Sequence, residues 1–290
     1  MTKPNFKRIF RVAFFAIFVI ASLIIIANQM DSGLSSTYED DSAVSSTKDE
    51  IVDEDGYCPI MGIELHGELF TYESFVEPVE GGQAPINAIA DKIVWYIKDA
   101  DKNEKVAGII LEVDSGGGSG VAGQEIATAL KTAKKPTVVI VRDVAASAAY
   151  WATTGADYIV ASNISNIGSI GVTSSFLDFS KQNTKDGITF VELNSAKYKD
   201  AGDPNKPLTD EEKALWQRDL DIMHNYFVKN VAENRKLDIE KVKQLADGST
   251  MLGAMALDNG LIDKLGGQAE AIQYFIDNKF ITEPQEICWY

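Results

Sequence analysis

A chain of 290 residues with 45% hydrophobic side chains can build one large core or two smaller ones. Its formal net charge of −16 argues against nucleic acid as a partner, because little here would neutralise phosphates. Two cysteines make neither a disulfide framework nor a zinc site, and two histidines, His66 and His224, confine any Ser-His chemistry to those positions. Cys58 and Cys288 stand at opposite ends of the soluble part and can pair in an oxidising compartment.

Residues 12 to 27 (VAFFAIFVIASLIIIA) are apolar without interruption and near the length needed to cross a bilayer. Lys3, Lys7, Arg8 and Arg11 precede them, and Asp31, Glu39, Asp40 and Asp41 follow. That asymmetry predicts a single-pass anchor with its amino terminus in the cytoplasm and the rest outside. The rival is a cleaved signal peptide, but Ile25-Ile26-Ala27 lacks the first small residue of an A-x-A-like cleavage site. Residues 1–30 therefore read as cytoplasmic tip and transmembrane anchor. Residues 31–55, rich in Ser, Asp and Glu, read as an acidic flexible linker. Ser45-Ser46-Thr47-Lys48 matches S-x-x-K, but this linker has no helix to aim the lysine, and the match is coincidental.

Residues 56–290 form the soluble domain. Ile60 to Phe70 reads as a strand, with Gly62 and Gly67 as bulge positions. Pro85 opens a helix whose buried face carries Ile86, Ile89, Ile93, Val94 and Ile97. Val106 to Val113 is a buried strand, and the glycine run Ser115 to Gly120 leads into a helix through Leu130. Pro136 to Val141 is another strand. Ala145 to Thr154 reads as an alanine-rich helix, and Tyr158 to Ala161 as a strand. Ile188 to Leu193 reads as a strand before a loop holding Lys197 and Lys199. Thr209 caps a long helix with Glu212 as its capping-box partner, and Leu215, Leu220, Met223, Phe227 and Val231 recur along it. Asp238 caps a short helix, and a helix from Gln268 to Asp277 closes the domain. Alternating strands and helices predict an α/β layered domain with a mainly parallel sheet.

Gly118-Ser119-Gly120-Val121-Ala122-Gly123 satisfies G-x-G-x-x-G, with Asp143 further on, a dinucleotide-binding fingerprint on paper. An exported domain is not supplied with nicotinamide cofactors, so no cofactor is expected, and no metal. The same glycine physics serves acyl transfer, because a glycine turn lets backbone amides approach a developing oxyanion. A tight turn with no ligand is the plain structural alternative. Ser147, in DVAASAAYW after a strand, occupies a place where an exposed nucleophile can sit at a helix amino terminus. On composition alone, a buried serine bonded to a backbone carbonyl is the better reading.

DSGGGSG, AASAAYW, NIGSIGV, AKYKDAGDP and MALDNGLID resemble, in order and spacing, the motifs of the signal peptide peptidase A family over roughly residues 60 to 280. The resemblance implies a ClpP/crotonase-like fold and a Ser-Lys serine protease. It places the nucleophile on Ser147 and the general base on Lys199. It puts the oxyanion loop on Asp114 to Gly117, with Gly116 and Gly117 as its glycines, and a lysine-orienting hydroxyl on Ser169. Two positions depart from the family: Gly116 stands where proline is usual, and Ala148-Ala149 where two glycines are usual. Two residues apart on an extended segment, Lys197 and Lys199 point the same way, so only the motif selects Lys199. A lysine acts as base when neutral, which requires its pKa to fall from about 10.4 towards 7–8.

The resemblance further implies homo-oligomeric rings, with serine and lysine from adjacent subunits, and peptide substrates at the membrane such as signal-peptide remnants. Two other functions stand against a membrane-anchored endopeptidase. One is a catalytically inactive membrane scaffold. The other is a crotonase-type thioester enzyme, although no basic patch for the phosphates of acyl-CoA stands out.

Overall fold

A computed structural model describes residues 58–73 and 87–290. The anchor, the acidic linker, Pro85 and Ile86 lie outside the described residues. Among those residues no helix is long and apolar enough to cross a membrane.

The frame is a mainly parallel sheet. Its main path runs β2 (Asn87–Ile89), β1 (Ile60–Phe70), β3 (Gly108–Gly118), β4 (Thr137–Ala146), β5 (Tyr158–Ala161) and β8 (Lys264–Leu265). β9 (Ile287–Trp289) adds to the start of β1 in parallel. Every pairing is parallel except that of β6 (Asn166–Gly168) with β7 (Thr250–Leu252). Near-continuous apolar runs such as IMGIEL and TVVIV suit strands covered on both faces.

Side-chain alternation divides two cores. Met61, Ile63, Leu65, Ile109, Leu111, Val139 and Val141 point to one face. There they meet α1 (Ala90–Lys102), α2 (Gly120–Thr132) and α3 (Ala148–Thr153), together with α5 (Asp210–Arg235). Ile60, Ile110, Val138, Ile140 and Val160 point to the other, beneath Ala271, Ile272 and Phe275 of α8 (Gln268–Asp277). The shorter helices are α4 (Ser180–Lys185), α6 (Ile239–Leu245) and α7 (Gly253–Asn259).

The local signals act mostly as expected. Thr209 and Glu212 form the capping box of α5, and Asp238 accepts from Glu240 and Lys241 N–H at the start of α6. Gly67, at φ 80°, sits where the β1–β3 register shifts. Gly62 is no bulge; the Trp289 ring packs where its Cβ would stand.

Four expectations change. α1 begins at Ala90, and Ile89 belongs to β2. The glycine run is strand up to Gly118, because it continues to pair with β1. Ala145 and Ala146 are strand too, held by pairing with β6. Ile188 to Leu193 is exposed and without regular structure, because no strand of the described chain lies beside it.

A disulfide joins Cys58 to Cys288 and so closes the two ends of the domain. α5 is tied down by Arg235, 7% exposed, which pairs in a fork with Asp263 at 2.7 and 3.0 Å and donates to Gly260 O at 3.1 Å. Asp263 also accepts from Ile159 N–H at 2.8 Å. Removing one partner of such a pair strands the other charge, so Arg235→Met should lower unfolding stability by about 3–5 kcal/mol. Urea denaturation compared with the exposed Arg218→Met variant, expected within about 0.5 kcal/mol of wild type, checks this.

Candidate active site

β4 carries Ser147 at its carboxyl end and changes partner midway. Val138 to Val141 pair with β5, and Val144 to Ala146 pair with β6. The chain then turns sharply. Ser147 has φ 53° and ψ −127°, a conformation a non-glycine residue holds at a cost of roughly 1–3 kcal/mol. Its N–H donates to Gly168 O at 2.8 Å, and its carbonyl accepts from Trp151 N–H at 3.0 Å as α3 begins.

The glycine loop packs directly against this turn. A Cβ on Gly117, at φ 106°, would meet the Ser147 Cβ and Ala146 O at 2.8 Å, so only glycine fits. The Gly117 N–H is already used: it donates at 3.1 Å to Ser115 Oγ, which in turn donates to Gly67 O. The register then favours Gly118. Ser119 N–H donates to Leu69 O at 2.8 Å, so Leu69 makes the ladder bonds and the Gly118 N–H turns away from β1. Gly118 and Ser147 line one cavity. The Ala148 N–H opens α3 and belongs to the first-turn amides that lack an intrahelical acceptor. Gly116 is open, with nothing within 4 Å of where a Cβ would stand.

Two hollows meet at Ser147. The larger, about 720 Å³, has mainly apolar walls that include Val121, Trp151, Met223 and Phe227. Trp151 stacks on Phe227 at 4.7 Å, which fixes the wall between α3 and α5. The smaller, about 400 Å³, is lined by Ser169, Asp221, His224 and Asp247. Ser169, at φ 49°, donates its hydroxyl to Gly248 O at 3.0 Å. Hydrogen bonds from Ser249 hold the Asp247 carboxyl below the usual carboxylate range.

Lys199 lies in an exposed turn and lines neither hollow. Ser147, Gly117 and Ser169 are thus brought together within one chain, and Lys199 is not among them. Lys197 pairs with Glu211 at 2.5 Å and lies over the Tyr198 ring. Its hydrogen bond to Glu211 raises its pKa, the wrong direction for a base. His224, one of the two histidines open to Ser-His chemistry, lines the smaller hollow with Ser147, which its place on a long helix did not disclose. In the sequence Gly118 stands out within the glycine fingerprint, apart from the oxyanion glycines Gly116 and Gly117, and the register and shared cavity set it beside them.

The fold class and this elbow define an α/β protein of the ClpP-like kind, in which a serine is presented at a strand-to-helix turn. A Clp protease family model matches residues 82–163, and the model of peptidase family S49 matches residues 129–280. The chain belongs to peptidase family S49, consistent with the signal peptide peptidase A group. A protein of Methanocaldococcus jannaschii provisionally named a protease is 36% identical over 196 residues, covering 66% of this chain and 63% of its own length. A protein of Enterococcus faecium provisionally named signal peptide peptidase SppA is 33% identical over 190 residues, 64% and 55% of the two chains. Protease 4 of Haemophilus influenzae is 31% identical over 203 residues, 67% of this chain and 32% of the relative. The matched stretch thus covers less than two thirds of each relative.

The backbone at Ser147 generates its own test. Glycine holds this φ without strain, whereas alanine does not. Ser147→Gly should therefore unfold at a free energy about 1 kcal/mol above Ser147→Ala. Parallel urea titrations of the two variants measure the difference; equal stabilities would deny the strain.

Proposed function

We propose that this protein is a membrane-anchored serine endopeptidase that cleaves hydrophobic peptides such as signal-peptide remnants through a Ser147–Lys199 dyad. The observation that carries the reading is Ser147 itself, held at a strained elbow between a glycine loop, a helix amino terminus and an apolar hollow. In this reading Ser147 Oγ attacks the scissile carbonyl as its proton passes to the neutral Lys199 amine. The Gly118 and Ala148 N–H groups receive the oxyanion, with Gly116 and Gly117 shaping the loop around them. Collapse of the intermediate breaks the C–N bond, and the lysine ammonium returns the proton to the departing amine. Water, deprotonated by the same lysine, then releases the acyl group and restores Ser147. Ser169 orients the lysine. The apolar hollow takes the hydrophobic side chains of the substrate.

Lys199 reaches Ser147 from a second copy of the chain, in a homo-oligomeric ring. Two features support this. The smaller hollow beside Ser147 has Ser169 in its wall, the hydroxyl assigned to orient the lysine. The segment that carries Lys199 exposes Leu177, Ile188, Val191 and Leu193, apolar side chains that a second copy can cover. Export of the domain is supported by the basic-then-acidic flanks of residues 12–27 and by the Cys58–Cys288 disulfide, a bond that persists in oxidising compartments. A short tether would then hold the site near substrates left in the membrane.

His224 favours a second reading, a Ser-His pair within one chain, because it shares the smaller hollow with Ser147. Peptide hydrolysis measured against pH on the full chain separates the two. Lys199→Ala and Lys199→Arg should each lose about 10²–10⁴-fold, since arginine stays charged. Lys197→Ala and His224→Ala should stay near wild type. The rate should rise with pH as the base becomes neutral, and fall away in acid where it is protonated. A folded His224→Ala that is inactive, beside an active Lys199→Arg, would assign the proton transfer to His224.

Trans completion has a separate readout. Mixed rings assembled from Ser147→Ala and Lys199→Ala chains should regain part of the activity, because some interfaces would join an intact serine to an intact lysine. Mixed rings with no activity would place both groups in one chain.

A further inference from the structure

On the face of the sheet beside the α8 core, β1 and β3 carry a cluster that the proposed chemistry does not use. Glu64 and His66 lie two residues apart and share this face, and Glu112 stands directly opposite Glu64 on β3. Two carboxylates opposite each other on neighbouring strands repel, and Arg142 offsets only the charge of Glu112.

His66 Nε2 is 3.2 Å from Glu112 Oε1, and His66 Nδ1 is 3.7 Å from Glu64 Oε2. Although Nε2 is fully buried, among the described residues it makes no hydrogen bond. An imidazole lone pair facing a carboxylate oxygen is unfavourable until a proton or a cation lies between them. One ligand atom from each of Glu64, His66 and Glu112 can be chosen so that all three lie within 4.8 Å of one another. Two ligands of a common ion with bonds near 2.0–2.2 Å stand roughly 3–3.5 Å apart, as His66 and Glu112 already do.

The surroundings suit such a site. Arg142 Nη1 holds the other Glu112 oxygen at 3.0 Å and so orients the carboxylate from outside. Asp114, opposite His66 in the register, is held by Val144 N–H at 3.2 Å and leaves the position to the three ligands. Glu64 is half-exposed and free to swing inward.

We propose that Glu64, His66 and Glu112 form a divalent-cation site that clips β1 to β3 just before the glycine loop. One nitrogen and two carboxylates suit a borderline ion such as Zn²⁺ better than Ca²⁺ or Mg²⁺, and water completes the coordination.

The test is calorimetric titration of the chelator-treated full chain, in detergent, with ZnCl₂. Wild type should show one equivalent of tight binding, and Zn²⁺ should raise its melting temperature. His66→Ala should lose that phase, and Glu112→Gln should weaken it at least about tenfold. If His66→Ala fails to fold, the exposed Glu64→Gln variant carries the comparison, with the same weakening expected. A titration without a tight phase, or the same phase in wild type, His66→Ala and Glu64→Gln, would mean adventitious binding to the acidic surface and overturn the site.

Discussion

The positive φ of Ser147 is the constraint on which the site depends, and it is sustained by what happens on either side of it. Upstream, β4 leaves β5 and pairs with β6, so the chain arrives at Ser147 as fully bonded strand. Downstream, Trp151 N–H already donates to the Ser147 carbonyl, so the helix begins with no slack residue between. The bond from Ser147 N–H to Gly168 O spends the one backbone donor that a relaxed turn would redirect. Strain of this kind persists only where neighbours over-determine it. Here the neighbours are two strands, a helix and the glycine loop.

Small residues follow from that geometry. Gly117 must lack a Cβ because Ser147 is already there, and Gly123 must lack one because the Ala148 carbonyl would stand 2.4 Å from it. Ala148 and Ala149 are fully buried against α2 and the sheet. The two departures from the family motifs are read in the same terms. An alanine pair in place of two glycines is accommodated because α3 is regular from its first residue. Glycine in place of proline at 116 is accommodated because β3 pairs on both sides of it, at Ser115 with β4 and at Gly117 with β1.

How far the sequence disclosed this depends on whether the deciding contact is local. The capping box at Thr209, the Asp238 cap and the buried runs of β1, β3 and β4 are written in neighbouring residues, and they were legible. The strand state of Ala145 and Ala146 was not. Their helix propensity is high, and pairing with β6, some twenty residues on, together with that of Ala145 with Ser115 of β3, overrides it. Ile188 to Leu193 shows the converse. Its alternation and β-branched residues suit a strand, but a strand needs a partner ladder, and none of the described strands offers one. That His224 shares a hollow with Ser147 was not legible either, because a helix position says nothing of what lies across from it.

On the proposed reading, one copy of the chain is an incomplete site. The elbow is shaped by β4, β6 and α3, whose contacts with the sheet are largely buried. The lysine comes from an exposed segment with few buried side chains of its own. A nucleophile built into the core is positioned as soon as the chain folds, whereas a base carried on an uncovered segment is positioned only when something covers that segment. A neutral lysine also needs a dry surrounding, since water stabilises its charged form and keeps it from accepting a proton. Covering the apolar segment with a second copy would supply both at once: it would bury the side chains that folding left exposed and desolvate the amine beside Ser147. Peptidase activity would then be withheld from the isolated chain by the exposure of the lysine, with the serine elbow already formed.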